Sequence, residues 1–448
     1  MVRLLQKDTH PIAPAPPFRE IRKFGQNPFA EVEGLLDRHG HTIRLPFGPG
    51  FVPTWISREP EHVEEVLVAK RESFQKGLGL QWLKSIFGNS ILVSEGDHWR
   101  KNRRLMAPAF TRKALQSYAD TMVECIDTSL EDVSSGTTLV MNQWTMEVTL
   151  VTVLKCLFGT EIGSRVKDVE HALDDGLLYA DHVLSRFTPP IDWIPTKPKR
   201  SLARARSVVY GIVDEFIAAR MKSGEMGTDL LGLLLSTRDE EGRSLPHEEI
   251  REEVITLLLA GHETTALNLT YLFMILGRRP DVVDVLQQEL DEVLGDAPPT
   301  MADLARLPLL EQAMKESLRM YPPAPIISRQ AVQDTTMGEW HIPAGNQVMV
   351  PIWAIHHDPR WYEDPYTFKL ERWTAEEEAK RHRFSFMPFG GGNRVCIGDQ
   401  FAKMEVRLMA ARILQRFRPL TLNTSDPELK LTITLRAMDP VMVTFHAR

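Results

Sequence analysis

One long apolar stretch constrains the fold of this chain more than any other feature of its sequence. From Pro246 to Gly277 the residues have helical periodicity and are apolar on nearly all sides, and Gly277 and Pro280 end the pattern. A helix of about 32 residues would extend roughly 48 Å at 1.5 Å per residue. Because a helix that is apolar all round must be buried, we expect this segment to cross the body of the protein as its central axis.

Most of the remaining middle part of the chain is also predicted to be helical. Apolar residues recur at helical spacing around 97–109, 113–133, 142–158, 163–184 and 200–221. Strand-like pieces are predicted at 42–46, 51–56, 330–335, 347–351, 429–433 and 441–445. The predicted fold class is therefore mainly α with small β-sheets. Since no segment has low complexity, residues 1–448 are interpreted as a single domain with a proline-rich, extended lead-in over 1–18.

Composition and charge narrow the class of protein. A net charge of −7 without a basic stripe argues against nucleic acid as a partner. The apolar run at the amino terminus is too short for a transmembrane segment or a signal-peptide core. Three scattered cysteines cannot form a disulfide framework, which indicates a reducing compartment. We therefore expect a cytoplasmic protein with no transmembrane segment.

A glycine-rich loop at 389–398 delivers a single cysteine, Cys396, to the start of an amphipathic helix. A thiolate near a helix amino terminus is stabilised by unpaired backbone N–H groups and by the positive end of the helix dipole. The loop lacks the Lys-Ser/Thr ending of a phosphate-binding loop, and it lacks the second cysteine and the histidine of covalent haem attachment. An arbitrary cysteine is usually a small buried hydrophobe, as we expect for Cys125 and Cys156. The context of Cys396 instead favours a functional thiolate.

The long helix contains a polar turn with the sequence AGHETT at 260–265. Polar groups are costly in apolar surroundings. Ala260 and Gly261 remove side-chain bulk, and a hydroxyl that competes for a helical carbonyl can locally widen the helix and open a groove. From composition alone, a solvated polar patch with a bend is an equal alternative. A zinc site of the His-Glu-x-x-His type is excluded, because the chain has Ala266 where the second histidine would stand.

The cysteine loop carries a specific resemblance. Phe389, Gly392, Arg394, Cys396 and Gly398 stand at the spacing of the signature Phe-x-x-Gly-x-Arg-x-Cys-x-Gly, so the chain resembles the cytochrome P450 family. The resemblance implies that family's fold, with the long helix across a haem, and Cys396 as the proximal thiolate ligand of the iron. It also implies that Arg394 pairs with a haem propionate and that Phe389 packs near the sulfur.

The polar turn at 260–265 is similar to the family's acid-alcohol motif. By this resemblance Thr264 would position dioxygen through hydrogen bonds, Glu263 would relay protons from solvent, and Ala260 would line the groove beside the haem. Trp99 and Arg103, four residues apart, resemble a pair that serves a haem propionate. Without the resemblance, Arg103 would equally well be an ordinary exposed cation.

Further charged residues resemble supporting parts of the family's site. Arg329 resembles a third propionate anchor, although alone it would equally well be an exposed cation. Glu316 and Arg319 resemble the Glu-x-x-Arg element, and Arg372 resembles the arginine that completes the triad. Trp373 stands where phenylalanine is more usual. Without the resemblance, a surface salt bridge would be the ordinary interpretation of Glu316 and Arg319.

The resemblance implies a haem-thiolate monooxygenase that inserts one oxygen atom of O2 into an apolar small molecule. Hydroxylation or epoxidation of a fatty acid, a terpene or a polyketide-like compound fits equally well. Predicted substrate contacts are Leu83, Phe87, Ile91, Leu92, Leu257, Ile326 and Ile327, and 187–195 is predicted to be a lid. Two alternatives remain: a haem-thiolate enzyme that uses peroxide or rearranges an oxygenated substrate, and a non-catalytic haem-binding sensor or carrier.

The implied cofactor is haem b, with electrons that come ultimately from NAD(P)H. A separate ferredoxin or flavodoxin-type donor is expected, since the sequence leaves no room for a flavin domain. Basic residues on the thiolate side would form its docking face, although ordinary solvated charges are an equal alternative. These residues are Arg100, Arg104, Lys113, Lys403 and Arg407.

Overall fold

Helices form most of the structure. The computed structural model of the chain describes residues 11, 13–17, 20, 28–160, 163–184, 196–238, 242–423 and 425–448, so the predicted lid at 187–195 and most of the lead-in lie outside the described residues. The helices are α1 Pro28–His39, α2 Pro60–Glu64, α3 Leu78–Trp82, α4 Lys84–Phe87, α5 Gly96–Met106, α6 Arg112–Ser129, α7 Met141–Phe158, α8 Val166–Leu184, α9 Lys197–Ser223, α10 Leu230–Ser236, α11 His247–Leu276, α12 Pro280–Val293, α13 Pro308–Met320, α14 Ile352–His356, α15 Ala375–Ala379 and α16 Asp399–Arg416. The predicted fold class is confirmed.

The strands are short and form small sheets. They are β1 Thr42–Leu45, β2 Thr54–Ser57, β3 Phe74–Lys76, β4 Thr137–Val140, β5 Ile327–Ala331, β6 Thr335–Met337, β7 Trp340–Ile342, β8 Gln347–Val350, β9 Phe417–Thr421, β10 Leu429–Leu431, β11 Leu435–Ala437 and β12 Met442–Ala447. One mixed sheet has the order β1-β2-β8-β5-β3 and another the order β4-β12-β9, while β6-β7 and β10-β11 are two-stranded. The strand predicted at 330–335 is wrong in its bounds, because β5 begins earlier and ends at Ala331.

The central helix α11 has 30 residues, which corresponds to about 45 Å at 1.5 Å per residue. It is buried along most of its length and packs chiefly against α7. Threonine hydroxyls form hydrogen bonds in this interface. The hydroxyl oxygens of Thr145 and Thr270 lie 2.8 Å apart, and the Thr149 hydroxyl donates to the carbonyl of His262 at 3.0 Å. The prediction of a buried central axis is confirmed. No helix among the described residues is long and apolar enough to cross a bilayer.

Three structural elements position polar residues near α11: a strand pair, a hairpin and a helix. In the first sheet β3 pairs antiparallel with β5, which sets Lys76 directly opposite Arg329. The β10-β11 hairpin lies against α11, where Tyr271 donates to the carbonyl of Leu435 at 2.8 Å. The third is α16, which begins three residues after Cys396 and packs against both α6 and α12.

Candidate active site

The cysteine loop holds Cys396 by its backbone. The N–H of Cys396 donates to the carbonyl of Phe389 at 3.0 Å, and the N–H of Gly398 hydrogen-bonds the sulfur. Gly392 has φ +68°, and a Cβ there would collide with the carbonyl oxygen of Leu67. Only glycine therefore combines this left-handed turn with this close packing. The ring of Phe389 packs beneath the ammonium of Lys403, 4.8 Å from the ring centroid.

The Cys396 thiol is accessible, yet much protein surrounds it. Its side chain is exposed by accessible surface, yet burial by the surrounding protein raises the pKa of the thiol. The Gly398 N–H and the charges of Arg103 and Lys403 act in the opposite direction and lower this pKa, because each favours the thiolate. Cys125 and Cys156, by contrast, are buried core residues as predicted.

Four cations gather beside the cysteine loop, and we call them the cation cluster: Lys76, Arg103, Arg329 and Arg394. Glu95 is the carboxylate that pairs with Arg394 and that raises the pKa of Arg329 and Lys76 by its charge. Burial nevertheless lowers the pKa of Lys76 to about 7 and that of Arg394 to about 10. The cluster therefore has an excess of positive charge that is buried at Lys76 and half-buried at the three arginines.

Aromatic and backbone groups orient the cluster. The guanidinium of Arg394 lies 3.7 Å from the ring centroid of Trp99, and Arg103 donates to the carbonyl of Val395 at 2.8 Å. Burial lowers the pKa of Arg329 to about 10. The structure thus brings together the four residues predicted to anchor propionates. Lys76 was missed by sequence reasoning, because β3 has only three residues and its pairing with β5 spans the chain.

The polar turn of α11 has one accessible face. Ala260 is exposed and Thr264 half-buried, whereas His262, Glu263 and Thr265 are buried. Thr264 donates to the carbonyl of Ala260 at 2.8 Å, and Thr265 donates to that of Gly261 at 3.0 Å. The predicted local widening is wrong, since the helix remains α-helical through the turn. Small side chains, rather than broken helical hydrogen bonds, leave this face open.

Glu263 is connected to the surface by an ion-pair chain. Its carboxylate, 2% exposed, accepts hydrogen bonds from Arg436 Nε at 2.6 Å and from Thr434 Oγ1 at 2.7 Å. Arg436 also donates to Asp174 at 3.0 Å, and the side chain of Asp174 is 55% exposed. Sequence reasoning missed Arg436 and Thr434, because they lie on the distant β10-β11 hairpin and in the turn beside it. The sequence around 434–436 has no motif that indicates a contact with Glu263.

The predicted charged triad is present and buried. Glu316 accepts two hydrogen bonds from Arg319, both at 2.8 Å, and one from Arg372 at 3.2 Å. Trp373 Nε1 donates to the same carboxylate at 2.9 Å, an interaction that phenylalanine could not make. Glu316 and Arg319 have no exposed surface, so the alternative of a surface salt bridge is wrong.

The predicted substrate contacts differ in accessibility. Leu83, Phe87, Ile91 and Leu257 are buried in the main core. Leu92, Ile326 and Ile327 are half-buried.

The predicted docking face is partly neutralised. Arg100 pairs with Asp97 at 2.6 Å, Lys403 with Asp399 at 3.0 Å and Arg407 with Glu311 at 3.2 Å. Arg104 and Lys113 are exposed.

The sequence matches one family over nearly its whole length. The family model described as Cytochrome P450 matches residues 11–445. Cyclooctat-9-en-7-ol 5-monooxygenase of Streptomyces melanosporofaciens is 33% identical over 86% of this chain and 83% of its own. Cyclooctatin synthase of the same organism is 31% identical over 89% and 88%. Cytokinin hydroxylase of Arabidopsis thaliana is 31% identical over 87% and 80%. The matched region contains the cysteine loop, the polar turn and the cation cluster.

Proposed function

This chain belongs to the cytochrome P450 family of haem-thiolate monooxygenases, and from that premise we propose that it oxygenates an apolar small molecule at a site formed by Cys396, Thr264 and Glu263. The cation cluster is the observation that carries the proposal. Three of its cations, Lys76, Arg329 and Arg394, have Glu95 as a shared neighbouring carboxylate, so the site suits a ligand with further carboxylates. Haem has two propionates, and Arg329, Arg394 and Lys76 would hold them with Arg103 and Trp99 in support.

The donor set at the cysteine also fits haem. Cys396 presents an accessible sulfur that receives a backbone hydrogen bond and lies near two cations, and these groups favour the thiolate against the burial that raises the pKa of the thiol. When bound there, haem would supply the redox chemistry that activates O2 for insertion. The residues of the chain would then bind, orient and shield the reactants.

We propose that the polar turn delivers protons. The Thr264 hydroxyl offers a proton on the accessible face of α11, and the Glu263 carboxylate can exchange one with solvent through movement of the Arg436 and Asp174 chain. A sensor or carrier has no need of this acid-alcohol pair. The pair therefore favours a monooxygenase over a non-catalytic haem protein.

We propose an apolar substrate and a separate electron donor. The predicted contact residues are apolar, and one relative is named as a monooxygenase of an alcohol, cyclooctat-9-en-7-ol. A fatty acid, a terpene or a polyketide-like compound would suit such a site. Electrons from NAD(P)H would arrive through a ferredoxin or flavodoxin-type protein that binds near Arg104 and Lys113.

Oxygen-isotope labelling tests this function. Apolar compounds that shift the haem absorption on binding would be incubated with the holoenzyme, a surrogate ferredoxin and its reductase, NADPH and ¹⁸O2. We expect one ¹⁸O atom in the product. Thr264→Ala should consume NADPH but release peroxide in place of product, and Thr264→Ser should retain product formation. Product that forms only with added peroxide, or no product from any binding compound, would contradict the proposal.

A further inference from the structure

Five aromatic side chains make a continuous series of ring contacts from α11 to the surface. We call it the aromatic file, and in order outward it consists of Tyr271, Tyr321, Trp353, His357 and Tyr366. The ring centroids of successive members lie 4.7, 6.3, 4.2 and 4.9 Å apart. Three of the four contacts are stacked, with interplanar angles of 19°, 25° and 28°. The rings are therefore in direct contact throughout.

The inner end of the file lies on the same helix as the polar turn. Tyr271 is fully buried and stands seven residues after Thr264, which is about 10 Å along the helix at 1.5 Å per residue. Its hydroxyl donates to the carbonyl of Leu435, and the next residue, Arg436, binds Glu263. The file thus begins near the acid of the candidate active site.

The outer end reaches solvent and has a base. Tyr366 is 62% exposed, and its hydroxyl donates to Glu33 Oε2 at 2.9 Å. Glu33 also lies beside the indole of Trp353, and burial raises the pKa of this carboxyl to about 7. A carboxylate with such a pKa can accept the phenolic proton that tyrosine loses on oxidation.

The proton acceptors along the file determine which tyrosine is most stable when it is oxidised. Tyrosine and tryptophan are the side chains that lose one electron most easily, whereas histidine can serve as a bridge between their rings. The Tyr271 hydroxyl donates to a backbone carbonyl, which cannot take up its proton. Tyr321 lies beside Asp426, but that carboxylate is already paired with Arg278 at 2.5 Å. The oxidised tyrosine is therefore most stable at Tyr366, where Glu33 takes the proton.

We propose that the aromatic file conducts electrons from Tyr366 to the haem site, so that an oxidising equivalent formed there without substrate leaves the core; this rests on the proposed function. Each passage takes one electron and the phenolic proton from Tyr366. The proton would go to Glu33, and the electron would pass along the file to the cofactor site, where bound haem would supply the chemistry that reduces hydrogen peroxide. When a one-electron donor of the ascorbate class reduces Tyr366 again between passages, two passages and two solvent protons convert one hydrogen peroxide to two waters.

Electron paramagnetic resonance of the peroxide-treated holoenzyme tests the file. Substrate-free protein with intact thiolate-haem absorption would be mixed with hydrogen peroxide and frozen rapidly. We expect a tyrosyl radical in the wild type, loss of that signal in Tyr366→Phe, and faster haem bleaching in both Tyr366→Phe and Trp353→Phe. Tyr210→Phe is the matched control, since Tyr210 contacts Arg206 outside the file, and should behave as the wild type.

A second variant leaves every ring in place. Glu33→Gln removes only the proton acceptor, so we expect a weaker tyrosyl signal with the rings still in contact. The proposal would be overturned if the radical signal and the bleaching rate were the same in Tyr366→Phe, Glu33→Gln and the wild type, even if the enzyme still oxygenates substrate with O2. Protein without thiolate-haem absorption would instead contradict the proposed function.

Discussion

At the scale of single residues, Glu316 is the acceptor on which the buried triad depends. Glu316→Gln would leave the fully buried Arg319 without a compensating charge. Breaking a buried pair in this way costs about 3–5 kcal/mol, so we expect a loss of that size in the free energy of unfolding. Denaturant titration would measure it.

Glu378 provides the control for this variant. It pairs with Lys315 at 3.1 Å on the surface, and Glu378→Gln should change the free energy of unfolding by no more than about 1 kcal/mol. Equal effects of the two substitutions would show that Glu316 has no special structural role.

Residue-level contacts were predictable only where a motif fixes them. Glu316, Arg319 and Arg372 stand in recognisable elements, and the structure joins all three. The hydrogen bond from Trp373 to Glu316 could not be predicted, because the more usual phenylalanine has no donor. Arg436 also has no local motif, and only the tertiary fold brings its guanidinium to Glu263.

At the scale of structural elements, Glu253 fastens the 89–93 segment to α11. Its carboxylate accepts from the Ile91 N–H at 2.9 Å and from Asn102 at 2.7 Å. Burial raises the pKa of Glu253 from 4.5 to about 7, with neighbouring Glu249 and Glu252 acting in the same direction. The folded state therefore holds this proton more tightly than the unfolded state between those two values.

This raised pKa predicts a pH dependence. The stabilisation linked to the Glu253 proton is fully present below pH 4.5 and is lost as the pH rises through about 7. The free energy of unfolding of the wild type relative to Glu253→Gln should therefore be smaller near pH 8 than near pH 5. Denaturant titrations of both proteins at the two pH values would measure it, and an unchanged or larger difference near pH 8 would contradict the assignment.

The cysteine loop depends on a glycine at one position. Gly392→Ala would place a Cβ against the Leu67 carbonyl in a left-handed conformation, so the loop must shift. We expect this variant to lose most of its bound haem, as measured by the ratio of haem to protein absorbance. Asn393→Ala changes the next, exposed residue and should retain the wild-type ratio. Full haem content in Gly392→Ala would show that the loop tolerates the displacement.

Helices were easier to predict than strands for a physical reason. The bounds of α11 differ from the predicted segment by one residue at each end, because periodicity and the stop signals are local. The β4 strand pairs with β12, some 300 residues away, and has only four residues. Its threonines and valine favour a strand, but four residues are too few for periodicity to separate a strand from a loop, so it was not predicted.

At the scale of the whole molecule, the core supports our interpretation of one domain. The main hydrophobic cluster includes residues from Phe29 to Phe445. We propose that the described residues fold as a unit, since both ends of the chain contribute to the same core. The cation cluster forms only when the whole domain folds, because its members come from four separate segments.

Long-range electrostatics should govern electron delivery. Reversing the charges of the exposed Arg104 and Lys113 should slow haem reduction by an acidic ferredoxin, and the slowing should diminish as ionic strength rises. Stopped-flow reduction under carbon monoxide measures the rate. Lys222→Glu, an exposed change on α9, is the control and should leave the rate unchanged. Equal rates in all three proteins would place the donor elsewhere.

The central claim is that the Cys396 sulfur is the thiolate ligand of haem. Its most direct measurement is the absorption spectrum of the reduced protein under carbon monoxide, compared between the wild type, Cys396→Ser and the core control Cys156→Ser. We predict the thiolate-shifted band in the wild type and in Cys156→Ser, and its loss in Cys396→Ser. A band that survives in Cys396→Ser, or wild-type protein that binds no haem, would contradict the claim.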